Sequence, residues 1–118
     1  MTARAVILFG HGSRDPLWRA PMDAVAQRVA ANGITVRCAF LELTQPDLQS
    51  AVAELVALGA TQIAVVPMFL GAGRHARADL PRLVDELKGI HADLRVDLRM
   101  SVGEDPRVLD LLASIASE

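Results

Sequence analysis

The sequence is poor in aromatic residues, with no tyrosine, one tryptophan and three phenylalanines. Surfaces that stack nucleic-acid bases are built from such rings, so their scarcity argues against a base-binding protein. The net charge of −2 also lacks the positive excess of a general nucleic-acid surface. We therefore expect no nucleic acid among the partners.

Cysteine and long apolar runs are also scarce. The only cysteine, Cys38, lies within an apolar strand pattern, so no disulfide can form within the chain and a buried, unreactive thiol is predicted. No apolar run approaches the roughly 20 residues that cross a bilayer. The short apolar run near the N-terminus ends in Gly10 and His11, which is typical of a strand rather than a signal peptide. These features predict a cytoplasmic protein without membrane contact.

The length of 118 residues fits one domain, residues 1–118, with a core that needs no disulfide. Eleven of the 12 cationic residues are arginine. Two explanations are open: a genomic codon bias, or a use for forked donors that bind carboxylate or phosphate through two hydrogen bonds.

Strand and helix patterns alternate along the whole chain. Residues 5–9 are apolar throughout, and the strand predicted over 61–67 has an unbroken apolar centre, as in central strands covered on both faces. The strand over 34–41 carries Arg37, and the strand over 94–100 alternates apolar and charged residues, so both belong at edges. The order βαβαβαβα predicts a three-layer, doubly wound, flavodoxin-like α/β fold with a parallel four-stranded sheet in the order 2-1-3-4.

Four helices are expected after the strands. The first begins near Pro16, and the second follows Thr44 and Asp47, which have the spacing of a capping box. Asp79 is the predicted N-cap of the third helix. We expect the apolar stripes of all four helices to pack in the core. The stripe of the first helix is Trp18, Met22, Val25 and Val29, and that of the last is Val108, Leu109, Leu112 and Ile115.

Two histidines fall where such a fold binds ligands, at the carboxyl ends of the first and third strands. His11 follows the first strand, and His75 follows the third after a loop with Gly71 and Gly73. Glu42 lies at the end of the second strand, either as a solvated carboxylate or pointing into the crevice. Two imidazoles and a carboxylate suit Fe(II), Co(II) or Ni(II) with open coordination positions. If Glu42 points into the crevice, His11, His75 and Glu42 would therefore form a site for a divalent metal ion.

Three arginines, Arg14, Arg74 and Arg77, would surround this site with positive charge. Such a site suits the transfer of a divalent ion into an acidic ligand whose protons the protein accepts.

Several segments together resemble the CbiX-type sirohydrochlorin metal chelatases, over nearly the whole chain. They are Gly10 to Arg14, Ala39 to Leu43 with Pro46, Pro67 to Leu70 with Gly73, His75, Asp79 and Pro81, and Gly103 to Pro106. The resemblance implies a class II chelatase that inserts Co²⁺, or else Fe²⁺ or Ni²⁺, into sirohydrochlorin during cobalamin, sirohaem or nickel-tetrapyrrole biosynthesis. It implies that neither ATP nor another nucleotide is used.

The resemblance also assigns roles to residues. It implies that His11 and His75 bind the metal and that Glu42 is the carboxylate of the site. In the mechanism that we expect, these three residues accept the two pyrrole protons as the ion enters. Arginine forks and backbone amides hold the carboxylates of the substrate. The expected substrate-binding residues are Ser13, Arg14, Leu70, Gly71, Ala72, Gly73, Arg74 and Arg77.

A homodimer is expected as well. Longer members of the family carry two such domains in one chain, and a macrocycle bound to one wall would leave its other face in water. A second copy could supply the missing wall across a two-fold axis. The mean hydropathy of +0.31 fits either covered surface or a well-filled core.

Two other functions fit part of the pattern. Histidine phosphatases also use two histidines and two arginines, and His11, Arg14, Arg74 and His75 could supply that set. Their usual Arg-His-Gly order is absent, because Gly10 precedes His11. A non-enzymatic cobalt or nickel carrier would bind the ion without a tetrapyrrole.

Overall fold

A computed structural model describes residues 4–118, apart from the side chain of His75. Along these residues, strands and helices alternate as the sequence predicts. The strands are β1 (Arg4–Gly10), β2 (Thr35–Phe40), β3 (Gln62–Pro67) and β4 (Arg95–Leu98). The helices are α1 (Ala20–Ala31), α2 (Leu48–Ala57), α3 (Arg74–Ile90) and α4 (Pro106–Ala116), and a 3-10 turn, η1 (Val102–Glu104), precedes α4. The described residues contain no helix long and apolar enough to cross a membrane.

The sheet has four parallel strands in the order β2-β1-β3-β4, which confirms the predicted topology. Phe9 of β1 is paired with Ala39 of β2 and with Pro67 of β3. The carboxyl ends of these three strands therefore meet at one edge of the sheet.

Most of the core lies on the face of the sheet covered by α2 and α3. Phe9 and Ile63 on that face are completely buried, as is Leu55 of α2, and Leu87 of α3 is 1% exposed. Burial of apolar side chains on this scale is the main stabilising contribution to such a fold.

Helix α1 covers β1 and β2 on the opposite face. Its predicted stripe is partly wrong, because Trp18 precedes the helix, which begins later than Pro16, and Val25 is 36% exposed. Met22 is buried in this layer, as predicted. Cys38 is buried there too, and burial raises the pKa of its thiol, as expected of an unreactive cysteine.

Helix α2 has Asp47 as its N-cap, not Thr44 as the capping-box spacing predicts. The Asp47 carboxylate accepts a hydrogen bond from the Ser50 backbone N–H at 2.8 Å, which satisfies one of the free donors of the first turn. Gly59, with φ 99°, follows the helix in the left-handed conformation that glycine favours. Thr44 takes no part in this cap, so the capping-box prediction is wrong for that residue.

Helix α3 begins earlier than predicted. Its N-cap is Gly73 and its first residue is Arg74, so the predicted cap at Asp79 is wrong. An Asp-Leu-Pro sequence is typical of a helix start, but here Pro81 lies inside the helix. The backbone of His75 therefore lies in the first turn of α3 rather than in a loop.

Helix α4 has Asp105 as its N-cap, and its predicted packing is wrong. The helix has no buried residue, and Leu109, Leu112 and Ile115 are 50%, 40% and 56% exposed. Its main contacts are with η1. The described chain extends over 47 × 33 × 29 Å, with a radius of gyration of 14.5 Å. A compact chain of this length has a radius of gyration of about 13.5 Å, so α4 projects from the body.

Candidate functional site

His11 and Glu42 come together at the carboxyl edge of the sheet. The imidazole Nε2 of His11 lies 2.9 Å from Glu42 Oε1, and the two side chains are 54% and 56% exposed. Glu42 thus points toward the loop that follows β1. An imidazole and a carboxylate in this arrangement can share a proton, or can bind one cation when that proton leaves.

The backbone holds this pair in place by extending the β1–β2 pairing. The Leu41 N–H donates to the Gly10 carbonyl at 2.9 Å, and the Glu42 N–H donates to the His11 carbonyl at 3.0 Å. Gly12 has φ +107°, and a Cβ atom there would lie 1.6 Å from the Glu42 carbonyl oxygen. The loop therefore lies directly against the backbone of Glu42, and only glycine fits at residue 12.

Thr44 joins the same two loops through its side chain. Its Oγ1 accepts a hydrogen bond from the Ser13 N–H at 3.0 Å and donates to the Ser13 carbonyl at 2.9 Å. Leu43, between Glu42 and Thr44, has φ 65°, an uncommon conformation for a bulky side chain. Sequence analysis missed this positioning role, because the spacing of Thr44 from Asp47 matches a helix cap.

Ser13, a predicted substrate-binding residue, already has protein partners. Besides the two backbone contacts with Thr44, its hydroxyl accepts a hydrogen bond from the Asp15 N–H at 3.0 Å. A hydroxyl can still donate one hydrogen bond, so the structure leaves room for contact with a substrate.

The segment after β3 is fixed at its start and exposed at its end. The Met68 N–H donates to the Phe9 carbonyl at 2.8 Å, and the Gly103 N–H donates to the Phe69 carbonyl at 2.9 Å. Leu70 is 69% exposed. Three further predicted substrate-binding residues follow it. Gly71 and Gly73 are exposed, and Ala72 is half-buried.

The His75 side chain lies outside the described residues, so its meeting with His11 stays a prediction. Its backbone lies in the first turn of α3. Among the side chains that are described, no group of three or more His, Cys, Asp and Glu is placed to hold a metal ion. The described donors of the candidate site are therefore His11 and Glu42.

Arg14, Arg74 and Arg77 are all exposed, and none of them forms an ion pair with another described residue. Arg82, by contrast, bonds Asp79 and is not free. The N-cap of α3 has no side-chain hydrogen bond, so the positive end of that helix is also open. These groups can attract anions to the edge of the sheet.

Comparisons of sequence agree with this architecture. The sequence profile of the CbiX family matches residues 5–118. A sirohydrochlorin cobaltochelatase from Methanopyrus kandleri is 40% identical over 82 residues, which are 68% of this chain and 57% of that protein. Another from Saccharolobus solfataricus is 31% identical over 119 residues, covering 96% of this chain and 93% of the relative.

Two crystal structures have the same fold. A protein from Marinobacter aquaeolei, described as a cobalamin (vitamin B12) biosynthesis CbiX protein, has a TM-score of 0.86 and 30% identity, covering 97% of this chain and 94% of the other. The sirohydrochlorin chelatase SirB from Bacillus subtilis, in complex with cobalt, has a TM-score of 0.82 and 27% identity. This chain is 99% covered in that comparison but spans only 50% of SirB. The family profile spans nearly the whole sequence, and the Saccharolobus relative is covered over 93% of its own length. The chain therefore belongs to the CbiX family.

Proposed function

We propose that this protein is a sirohydrochlorin chelatase, which inserts a divalent metal ion into the macrocycle without ATP. The observation that carries the proposal is the pair His11 Nε2 and Glu42 Oε1, 2.9 Å apart and open to solvent in a chain of the CbiX family. Relatives named sirohydrochlorin cobaltochelatase give the substrate class. We also propose that residues 1–118 form one chelatase unit.

The two donors are close enough to bind one ion together, since His11 Nε2 and Glu42 Oε1 are 2.9 Å apart. Imidazole and carboxylate ligands suit Co²⁺, Fe²⁺ and Ni²⁺, and the remaining coordination positions of such an ion would be open to the macrocycle.

Binding of the ion requires that the proton between His11 and Glu42 leave. The same two groups then become proton acceptors when the metal moves on into the macrocycle, since each regains a free lone pair. Sirohydrochlorin gives up two pyrrole protons, so the pair can accept both. We propose His75, on the first turn of α3, as the third donor of the site.

The substrate carries many carboxylates, and we propose that Arg14, Arg74 and Arg77 bind them. Their guanidinium groups are exposed and form no ion pair with another described residue, so no internal carboxylate has to be displaced. The open N-terminus of α3 favours anions at the same place. Ser13 and the backbone of Leu70 to Gly73 complete the proposed contacts.

For the metal we propose Co²⁺, with Fe²⁺ and Ni²⁺ as the other candidates. Two relatives are named cobaltochelatases, and the Bacillus chelatase was crystallised with cobalt. The donors themselves discriminate little, since imidazole and carboxylate bind all three ions and the Irving–Williams order ranks only their affinities.

We also propose that the working unit is a homodimer. The exposed donor pair lies at an open edge of the sheet, where we expect one chain to cover only one side of a flat macrocycle. A second copy related by a two-fold axis would cover the other side. A cytoplasmic location remains a further prediction, which cell fractionation tests.

The experiment that tests the function is incubation with sirohydrochlorin and each of the three ions, without ATP, while the absorbance spectrum is followed. The proposal predicts metal insertion well above the uncatalysed rate with at least one ion. Tight metal binding without acceleration would indicate a carrier instead. Hydrolysis of a phosphomonoester, inhibited by phosphate, would indicate a phosphatase.

A further inference from the structure

Helix α4 carries an apolar face that is open to solvent. Val108, Leu111, Leu112 and Ile115 have the spacing i, i+3, i+4 and i+7, which places them on one side of a helix. Leu111, Leu112 and Ile115 are 62%, 40% and 56% exposed, although an isolated chain gains nothing from exposing them. Such a continuous exposed stripe is typical of a surface that a partner covers.

The start of α4 has a defined N-cap, and the turn before it packs against the segment that follows β3. The Asp105 carboxylate accepts the Arg107 N–H at 2.9 Å and the Arg107 guanidinium at 2.7 Å. Just before it, Gly103 packs so closely on Leu70 that a Cβ atom would lie 1.7 Å from the Leu70 carbonyl oxygen.

The sheet has an open surface of matching character. α1 lies over β1 and β2, and no helix in the described chain makes extensive contact with the same face of β3 and β4. A groove of about 410 Å³ lies there, and its apolar lining is Val66, Met100, Val102 and Val108. Arg99, Asp105 and Arg107 line it as well, so the N-cap and first turn of the chain's own α4 form one wall of the groove. Met100 is 63% exposed, so the groove is accessible from outside.

We propose that the exposed part of this face, Leu111, Leu112 and Ile115, packs into the groove of a second copy, which inserts its own α4 in return. The proposal rests on the homodimer proposed above and names its interface. Each chain offers one helix and one groove, so a two-fold exchange covers both at once. Val102 in the groove adjoins Gly103, which packs on Leu70 of the segment between β3 and α3, so the partner's helix would lie near that segment.

The charges favour a protein partner over a membrane. Helices that lie on membranes carry many Lys and Arg residues on their polar side. The polar side of α4 instead contains Asp110, Ser114 and Ser117, and its only basic residue is Arg107 at the start. The negative end of the helix, with Glu118, would meet the exposed Arg99 at the rim of the partner's groove.

A pair of matched double variants tests the interface. Leu112→Asp with Ile115→Asp places two charges on the apolar face, while Ser114→Asp with Ser117→Asp places the same charges on the polar face. All four side chains are exposed, so both variants should fold, which circular dichroism checks. By light scattering at micromolar concentration, the wild type and the polar-face variant should have twice the chain mass of 12.6 kDa. The apolar-face variant should have the chain mass itself.

A third variant, Met100→Asp, tests the groove. It should also be monomeric, and mixing it with the apolar-face variant should restore dimers. Such a mixed dimer keeps one intact contact, between the unaltered helix of one chain and the unaltered groove of the other. If α4 packed against α4 instead, mixing would restore nothing, and the exchange would be wrong.

The remaining outcomes separate the two proposals. An apolar-face variant that stays dimeric would overturn the α4 interface and leave the homodimer standing. A wild type of 12.6 kDa under conditions of full chelatase activity would overturn the homodimer as well. Binding of wild-type protein, but not of the apolar-face variant, to anionic lipid vesicles would show that α4 contacts membranes and would contradict the interface.

Discussion

The hydroxyl of Thr44 bonds the backbone of Ser13 in both directions, accepting its N–H at 3.0 Å and donating to its carbonyl at 2.9 Å. Through this contact the loop that carries His11 is tied to the loop that carries Glu42. Thr44→Val keeps the shape of the side chain but removes both bonds. We expect a loss of about 1–3 kcal/mol in the free energy of unfolding, since the Ser13 N–H loses its partner.

The same variant should lower the rate of metal insertion, because the donor pair is no longer held at one distance. Thr44→Ser keeps the hydroxyl, so its insertion rate should be close to that of the wild type. If Thr44 contributed only its shape, the rate would not depend on the hydroxyl. Urea unfolding and the absorbance assay measure the two effects. Equal insertion rates for Thr44→Val and the wild type would show that Thr44 does not position the site.

Gly12 should tolerate no side chain. Gly12→Ala would place a Cβ atom 1.6 Å from the Glu42 carbonyl oxygen, at a φ of +107°. We expect a loss of more than about 2 kcal/mol in unfolding free energy and a displaced His11. The matched control is Gly71→Ala, since a Cβ there meets nothing within 4 Å and should change stability by less than about 0.5 kcal/mol. Equal denaturation midpoints for the two variants would contradict this account of the loop.

The sheet was predictable from the sequence because the pattern of apolar and charged residues in each strand indicates how far that strand is buried. The unbroken apolar residues of β1 and the charged alternation of β4 give their central and edge positions without further information. The edge that brings His11 and Glu42 together follows from that strand order. The core stripe of α3, including Leu80 and Leu87, is likewise visible from its spacing.

Three features were not predictable, each for a physical reason. The sequence Asp79-Leu80-Pro81 is typical of a helix start, but in the structure Pro81 lies inside α3. The hydrogen bond between Thr44 and Ser13 joins residues far apart in sequence, so local spacing cannot predict it. The apolar spacing of α4 is the same whether the helix packs on its own core or on a second chain. Periodicity therefore predicted that Leu112 is buried in the core, whereas its side chain is 40% exposed.

Arg14 should bind a substrate carboxylate through two hydrogen bonds. Arg14→Lys keeps the charge but loses the fork, so we expect the KM for sirohydrochlorin to rise roughly 5- to 10-fold with little change in stability. Arg28→Lys is the control, because Arg28 lies on α1 and donates to the Ala24 carbonyl at 2.9 Å. An unchanged KM in Arg14→Lys would remove Arg14 from the substrate site.

The stability of the fold should fall in acid, partly through Asp47. The hydrogen bond from the Ser50 N–H lowers the pKa of Asp47 below its ordinary 3.8. Its contribution is therefore complete above about pH 5 and is lost as the pH falls through the lowered pKa of the folded state. Asparagine is nearly isosteric with aspartate and caps a helix equally well, but it does not titrate. The free energy of unfolding of Asp47→Asn should therefore match that of the wild type near pH 7. Below about pH 5 it should fall less steeply. Urea midpoints between pH 7 and pH 3 measure the slopes, and parallel slopes would contradict the assignment.

The central claim is that His11 and His75 transfer the metal into the macrocycle. The direct measurement is the single-turnover rate of Co²⁺ insertion into sirohydrochlorin by the wild type, His11→Ala and His75→Ala, followed by absorbance. Each substitution should remove most of the rate while circular dichroism and the denaturation midpoint stay unchanged. His11 is exposed and outside the apolar core, and alanine suits the first turn of α3, where the backbone of residue 75 lies. Wild-type rates in both folded variants would contradict the claim.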